Sequence, residues 1–333
     1  MRRGWKGVLL LMSLIALSWA WAEAGLNVVA TTEHYAAIAK IVGGDRLAVA
    51  YLGRGDQDPR AIEPKASFSV PLNRADLLIV NGQGLEEAWL PTVLSDSTNA
   101  RLREGKPGYL DASQGANLLP YDSKEIESPF LIKALVALNA VFGKGSEDLR
   151  LGNNPYYWLD PANGETIAKA ISERVALLDL PNAEFYQANY ERFASRLRER
   201  LRAWDAMMKS FAGMEIVSYR RSWTYLARRH GLRVLAYVEP KEPLVLGPTN
   251  LYNPPDRDAK SLLIAKMRQY HLKLLITETY QDQALARDIA SQAGARLLTL
   301  PASVSRREGI DDYFQLFERI YQELSQALNP SGS

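Results

Sequence analysis

The chain has 333 residues, enough for about two domains, with 47% hydrophobic and 23% charged residues, a balance that excludes a disordered chain and permits a real core. Its formal net charge is +2. Removing residues 1–24 takes away Arg2, Arg3, Lys6 and Glu23 and leaves the two signs equal, which excludes a broad nucleic-acid or membrane footprint.

Residues 1–24 read as an export signal. Arg2, Arg3 and Lys6 form a basic start, an apolar run follows from Val8 to Trp21, and Ala20-Trp21-Ala22 and Ala22-Glu23-Ala24 are small-x-small cleavage sites. The run is short for a membrane span, which needs roughly 20 residues. A cleaved, periplasmic product is expected, with a retained anchor as the alternative. There is no cysteine, so no disulfide forms and no lipid attaches at a cleavage-site cysteine.

Strands are predicted at 26–31, 47–52 and 76–80, with helices at 33–42, 64–75 and 89–94 between and after them. This alternation argues for a parallel α/β sheet. Residues 121–152 read as an inserted loop and helix, the helix over 130–142. From 163 to 178 the apolar residues Ile167, Ile171, Val175 and Leu178 make one stripe of an amphipathic helix, and Pro161 suits its start. Leu180-Pro181 breaks the pattern. A longer helix follows, with Tyr186, Tyr190, Phe193, Leu197, Leu201, Trp204, Met208 and Phe211 on one side and Arg and Glu elsewhere. Strands are then predicted at 216–219, 234–238, 272–277 and 296–300, and helices at 223–230, 258–270, 283–293 and 311–328. The loop 239–257 looks inserted.

The division expected is a signal over 1–24, a first α/β lobe over 25–160, a linking helix over 161–181, a second lobe over 182–328 and a tail over 329–333. The fold class is α/β, two lobes with parallel sheets joined by a long rigid helix.

Several chemistries find no support. There is no G-x-G-x-x-G after a strand, no G-x-x-x-x-G-K-[ST] loop and no G-x-S-x-G elbow. No nucleophile–base pair suggests an enzyme. Of the three histidines, His230 and His271 read as surface residues at a helix end and a turn. His34 follows a strand, where parallel sheets place ligands, and is a candidate cleft residue. Trp158 and Trp223 read as core, Asp160-Pro161 as a helix start, and the Arg/Glu run over 192–202 as a solvated face.

Seven stretches carry a family resemblance: "IVGGDRLAV" (41–49), "GDQDPRAIEPKAS" (55–67), "ADLLIVNGQGLE" (75–86), "NPYYWLDP" (154–161), "SYRRSWTYLARRHGL" (218–232), "YVEPK" (237–241) and "LITETY" (275–280). The chain resembles the substrate-binding proteins of bacterial metal-ion ABC importers of the zinc/manganese type, over about residues 25–328. The resemblance implies two lobes, a rigid link that limits opening, a cleft that captures cargo and delivery to an ABC permease. A monomer is expected, with no nucleic acid among its partners.

The resemblance also implies where metal ligands should stand. At the usual histidine after the Pro of the second stretch this chain has Arg60. At the histidine before the aromatic-W-L-D-P frame it has Tyr156. At the His or Glu that starts the second lobe's helix it has Arg220. A histidine ahead of the fourth stretch falls near Arg150, and the usual late carboxylate near Pro301, leaving Glu278 as the nearby acid. The interlobe ligand positions are therefore Arg60, Tyr156, Arg220 and Glu278.

Arginine has no lone pair to give, zinc takes His, Cys or carboxylate, and a tyrosine ligates only as phenolate, with a pKa of about 10. A +2 ion about 6 Å from one guanidinium is opposed by on the order of 5 kcal/mol at an effective dielectric near 20. No cofactor is expected, and Zn or Mn only if an altered ligand set still binds. Three readings stay open: a degenerate site, with the arginines paired to Glu63, Glu278 or Asp160; an anion or organic ligand held by Arg forks; or metal through altered ligands. A scaffold without a small ligand is a further alternative.

Overall fold

The structure, a computed structural model, describes residues 25–121, 152–239 and 257–329. The export segment 1–24, the helix expected over 130–142, most of the loop 239–257 and the last four residues lie outside the described residues.

The predicted alternation gives two four-stranded sheets. The first contains β1 (Leu26–Thr32), β2 (Leu47–Gly53), β3 (Leu77–Val80) and β4 (Tyr109–Asp111), in the order β2-β1-β3-β4. The second contains β5 (Glu215–Ser218), β6 (Arg233–Tyr237), β7 (Leu274–Glu278) and β8 (Arg296–Leu300), in the order β6-β5-β7-β8. Every pairing is parallel. The inner strands show why: every residue of "LLIV" in β3 and "LLITE" in β7 is buried, as expected of strands covered on both faces. Strand β4 was not predicted, because three residues are too few to show a period.

The helices follow the apolar stripes. In the first lobe these are α1 (Glu33–Gly43), α2 (Ser69–Arg74) and α3 (Leu90–Ser95). The helix predicted over 64–75 is shorter, a 3-10 turn followed by α2, because Pro71 fits only the first turn of a helix. Then come α4 (Asn163–Leu178) and α5 (Ala183–Met208). In the second lobe are α6 (Thr224–Arg229), α7 (Arg257–Gln269), α8 (Gln283–Ala293) and α9 (Tyr313–Leu328).

The long element is α5 with a 3-10 turn at each end, not the helix before it. It buries Tyr186, Phe193, Leu197, Trp204 and Met208, while Arg192, Arg196, Arg198, Arg200 and Arg202 are exposed. It packs on α1 in the first lobe and α9 in the second, with α4 alongside. One apolar cluster runs through α1, α4, α5 and α9 and takes in strands of both sheets. The lobes thus share a core, which stiffens their relative position.

In each sheet the strand order reverses direction beside its first strand. Loops after β1 and β3, and after β5 and β7, therefore diverge and leave a crevice at the carboxyl ends. The two crevices face each other.

Candidate functional cleft

Every residue singled out at the cleft lies at or beyond a strand's carboxyl end, except Tyr156, which comes from the segment before α4. Asp58 and Arg60 follow β2, and His34 begins α1 just after β1. Arg220 follows β5, Glu239 follows β6, and Glu278 ends β7.

Arg220 is the centre. Its side chain is 5% exposed, and its backbone carbonyl accepts the Ser218 hydroxyl. Its Nη1 donates to Asp58 Oδ2 of the first lobe at 2.5 Å, and its Nε to Glu239 Oε2 of the second at 2.7 Å. Burial alone would pull the guanidinium's proton affinity down, but Asp58, Tyr156 and Glu239 more than offset it, so its pKa stays well above the usual value. The residue is a fixed cation bridging two lobes.

Glu278 is fully buried on the same side of the cleft. One oxygen accepts the Ser222 hydroxyl. The other has no hydrogen-bond partner among the described residues. Burial pushes its carboxyl up to about 8, with Arg220 pulling the other way and Glu239 and Asp58 adding to the rise. Tyr156 is buried, tilted against Trp158 with ring centres 5.3 Å apart, and its backbone N–H donates to Asn154 Oδ1 at 3.0 Å. Arg60 is half-buried, and its backbone N–H donates to Asp58 Oδ1 at 3.0 Å.

His34 does different work. Its ring stacks on Trp158 at 4.7 Å and 16°. Nε2 lies 3.2 Å from the Thr32 hydroxyl and Nδ1 2.9 Å from the Ser303 hydroxyl, which belongs to the other lobe. Burial lowers its pKa to about 3, so the ring is neutral. Trp158 crosses the same seam, donating from Nε1 to the Ala302 carbonyl at 2.8 Å. The cavity lined here by His34, Arg54, Trp158, Tyr280 and Ser303 measures about 10 Å³, at the lower limit for a single water.

Two expectations change on this geometry. Glu63, Glu278 and Asp160 do not take the bridging arginine: Glu63 is exposed, Glu278 bonds Ser222, and Asp160 pairs with Arg229 at 3.2 Å. His230 is not on the surface. It is buried, with Nε2 2.8 Å from the Tyr321 hydroxyl. His271 is exposed, as predicted, at a left-handed φ of 53°. Asp160 does start α4, accepting the Ala162 N–H at 3.0 Å. Trp158 and Trp223 are both 1% exposed. Arg150 lies outside the described residues, and Pro301 is buried just past β8.

The residues that sequence reasoning missed are Asp58 and Glu239. Both stood in quoted stretches, "GDQDPRAIEPKAS" and "YVEPK". Both are acids just beyond a strand end, which was the available signal. Among the described residues no group of three or more His, Cys, Asp or Glu side chains is arranged to hold a metal ion as it stands.

The family model for the zinc-uptake complex component A, periplasmic (ZnuA), matches residues 28–327. The chain belongs to the ZnuA family. ZnuA-family proteins are substrate-binding proteins of metal-type ABC transporters rather than a class of enzyme, and they work with a membrane permease and an ATPase.

Among curated ZnuA-type relatives, the manganese ABC transporter substrate-binding lipoprotein PsaA of Streptococcus mitis is 23% identical over 91% of this chain and 89% of its own. The high-affinity zinc uptake system protein ZnuA of Bacillus subtilis (strain 168) is 22% identical over 81% and 76%. A putative metal-binding protein of Treponema pallidum is 21% identical over 92% and 89%. Among solved structures, a crystal structure of ZnuA superposes with a TM-score of 0.69 at 20% identity, covering 92% of this chain and all of that one. The periplasmic metal-binding protein from Candidatus Liberibacter asiaticus gives 0.66 at 18% identity, covering 91% and 99%. These likenesses show the two-lobed fold.

Proposed function

We propose that this chain is an exported, periplasmic, monomeric substrate-binding protein of a metal-type ABC importer whose cleft no longer takes Zn²⁺ or Mn²⁺ in the usual way. The observation that carries the reading is the Asp58–Arg220–Glu239 bridge. Two carboxylates that could serve a cation are committed to a guanidinium, and a guanidinium cannot itself ligate metal. Arg60 and Tyr156 stand at two further ligand positions, and neither is a ligand at neutral pH. His34 spends both ring nitrogens on hydroxyls, one in each lobe. The site residues are Arg60, Tyr156, Arg220 and Glu278, with Asp58 and Glu239 added. The partner is the importer's permease.

The test is metal analysis of the purified protein with Zn²⁺ and Mn²⁺ titration. No stoichiometric binding is expected. A sub-micromolar site in the unaltered protein would overturn the proposal. The companion is the triple change Arg60→His, Tyr156→His, Arg220→His. It should create metal binding if the ligand positions are matched correctly, and its failure would count against the matching.

A further inference from the structure

Arg220 has three acidic neighbours rather than one. Asp58 meets Nη1 from the first lobe, Glu239 meets Nε from the second, and Glu278 lies within electrostatic reach in the buried floor. One Glu278 oxygen is fully buried and has no hydrogen-bond donor among the described residues. Asp58 and Glu239 meet at one guanidinium and would repel each other there unless a cation stood between them, and the unpartnered, buried Glu278 oxygen is a further acceptor on the same side of the cleft. The cation present is the chain's own.

We infer that Asp58, Glu239 and Glu278 form a site for a compact cation, and that the Arg220 guanidinium is its tethered occupant, filling the site and joining the lobes in place of cargo. This rests on the proposed reading of the cleft as one without ordinary metal capture. It goes further by naming a different acceptor set, built of oxygen ligands alone, and an autoinhibitory residue. Oxygen-only sets suit hard ions such as Mn²⁺ and Ca²⁺ more than Zn²⁺. Being covalently attached, the occupant carries no translational entropy cost, so a free ion cannot compete with it at ordinary concentrations.

The experiment is chemical rescue. Arg220→Ala removes the occupant and leaves its space. Millimolar ethylguanidinium, far below denaturing levels, should raise the melting temperature of this variant by about 3 °C. Mn²⁺ and Ca²⁺ should raise it as well, and should compete with ethylguanidinium. The unaltered protein and Arg220→Lys, which keeps a tethered cation, should respond to none of them. Adding Glu239→Gln to Arg220→Ala should abolish the response. Arg220→Met keeps the aliphatic stem packed and is the second background if the alanine variant does not fold. A folded Arg220→Ala or Arg220→Met protein that no cation stabilises overturns the inference. Metal binding by the unaltered protein would instead overturn the proposed function, so the two failures are distinct.

Discussion

Gly55 and Val304 come from different lobes and touch through bare backbone. A β-carbon on Gly55 would stand 1.8 Å from the Val304 carbonyl oxygen and 2.6 Å from its carbon. The Gly55 N–H donates to Glu33 at 3.0 Å, and the other oxygen of Glu33 receives the Arg306 N–H at 3.3 Å. No flexible side chain is available to yield. Gly55→Ala should force this seam apart and destabilise the protein by about 1–3 kcal/mol. Urea unfolding measures the cost, and small-angle scattering should show a larger radius. An unchanged midpoint would mean the seam is not closed this tightly.

The two arms of the arginine bridge should differ in weight. The Glu239 side chain is 6% exposed and that of Asp58 20%. Glu239→Gln leaves the buried guanidinium half-compensated and should cost about 3–5 kcal/mol. Asp58→Asn, nearer water, should cost less. Equilibrium unfolding of both variants decides this. Equal and small losses would show that Arg220 is better solvated than its burial implies.

Buried titrating groups set the pH dependence. Burial raises Glu278 to about 8 and Glu86 to about 7. Each therefore holds its proton more tightly when folded, so its contribution is complete below the unfolded value and is lost as pH rises through the folded one. Burial lowers His34 to about 3 and His230 to about 4. Their contribution is complete above the unfolded value and is lost as pH falls. Stability should be nearly level between about pH 4.5 and 6.5, where the two effects oppose. It should fall on the alkaline side up to about pH 8, and on the acid side. Glu278→Gln should flatten the alkaline limb, between about pH 6.5 and 8, by on the order of 2 kcal/mol. Melting curves across pH check it, and an unchanged alkaline limb in the variant would refute the assignment.

Trp158 ties the segment before α4 to the second lobe. Trp158→Phe keeps a ring against His34 but deletes the donor to the Ala302 carbonyl. A loss of about 1–3 kcal/mol is expected, most of it from the carbonyl left unsatisfied. Unfolding in urea measures it. A neutral result would mean that water replaces the indole there.

The legible part of the molecule was what repeats or packs. Ile167, Ile171 and Val175 announced α4 by spacing alone, and all three are buried. The seven longer strands were readable as apolar runs, whereas Tyr109–Asp111 carried too few residues to show a pattern. Arg220 was legible as an anomaly against the family frame. Its partners were not, because Asp58 and Glu239 are separated from it by 162 and 19 residues. The strand order of the second sheet sets Glu239 beside Arg220, and the packing of the two lobes brings Asp58 to it. His230 misled for the opposite reason. Its helix-end position suggests solvent, but α9 covers it through Tyr321.

The apolar cluster that runs from the first sheet through α5 to α9 has a calorimetric consequence. Each lobe also has a smaller apolar cluster of its own, but the largest one is shared, so neither half keeps its main interior without the other. Heating should give a single endotherm, with neither lobe surviving the other. Cutting the chain near Pro181 should yield two insoluble pieces rather than two stable ones. The molecule looks like two bodies in outline, but thermodynamically it is one.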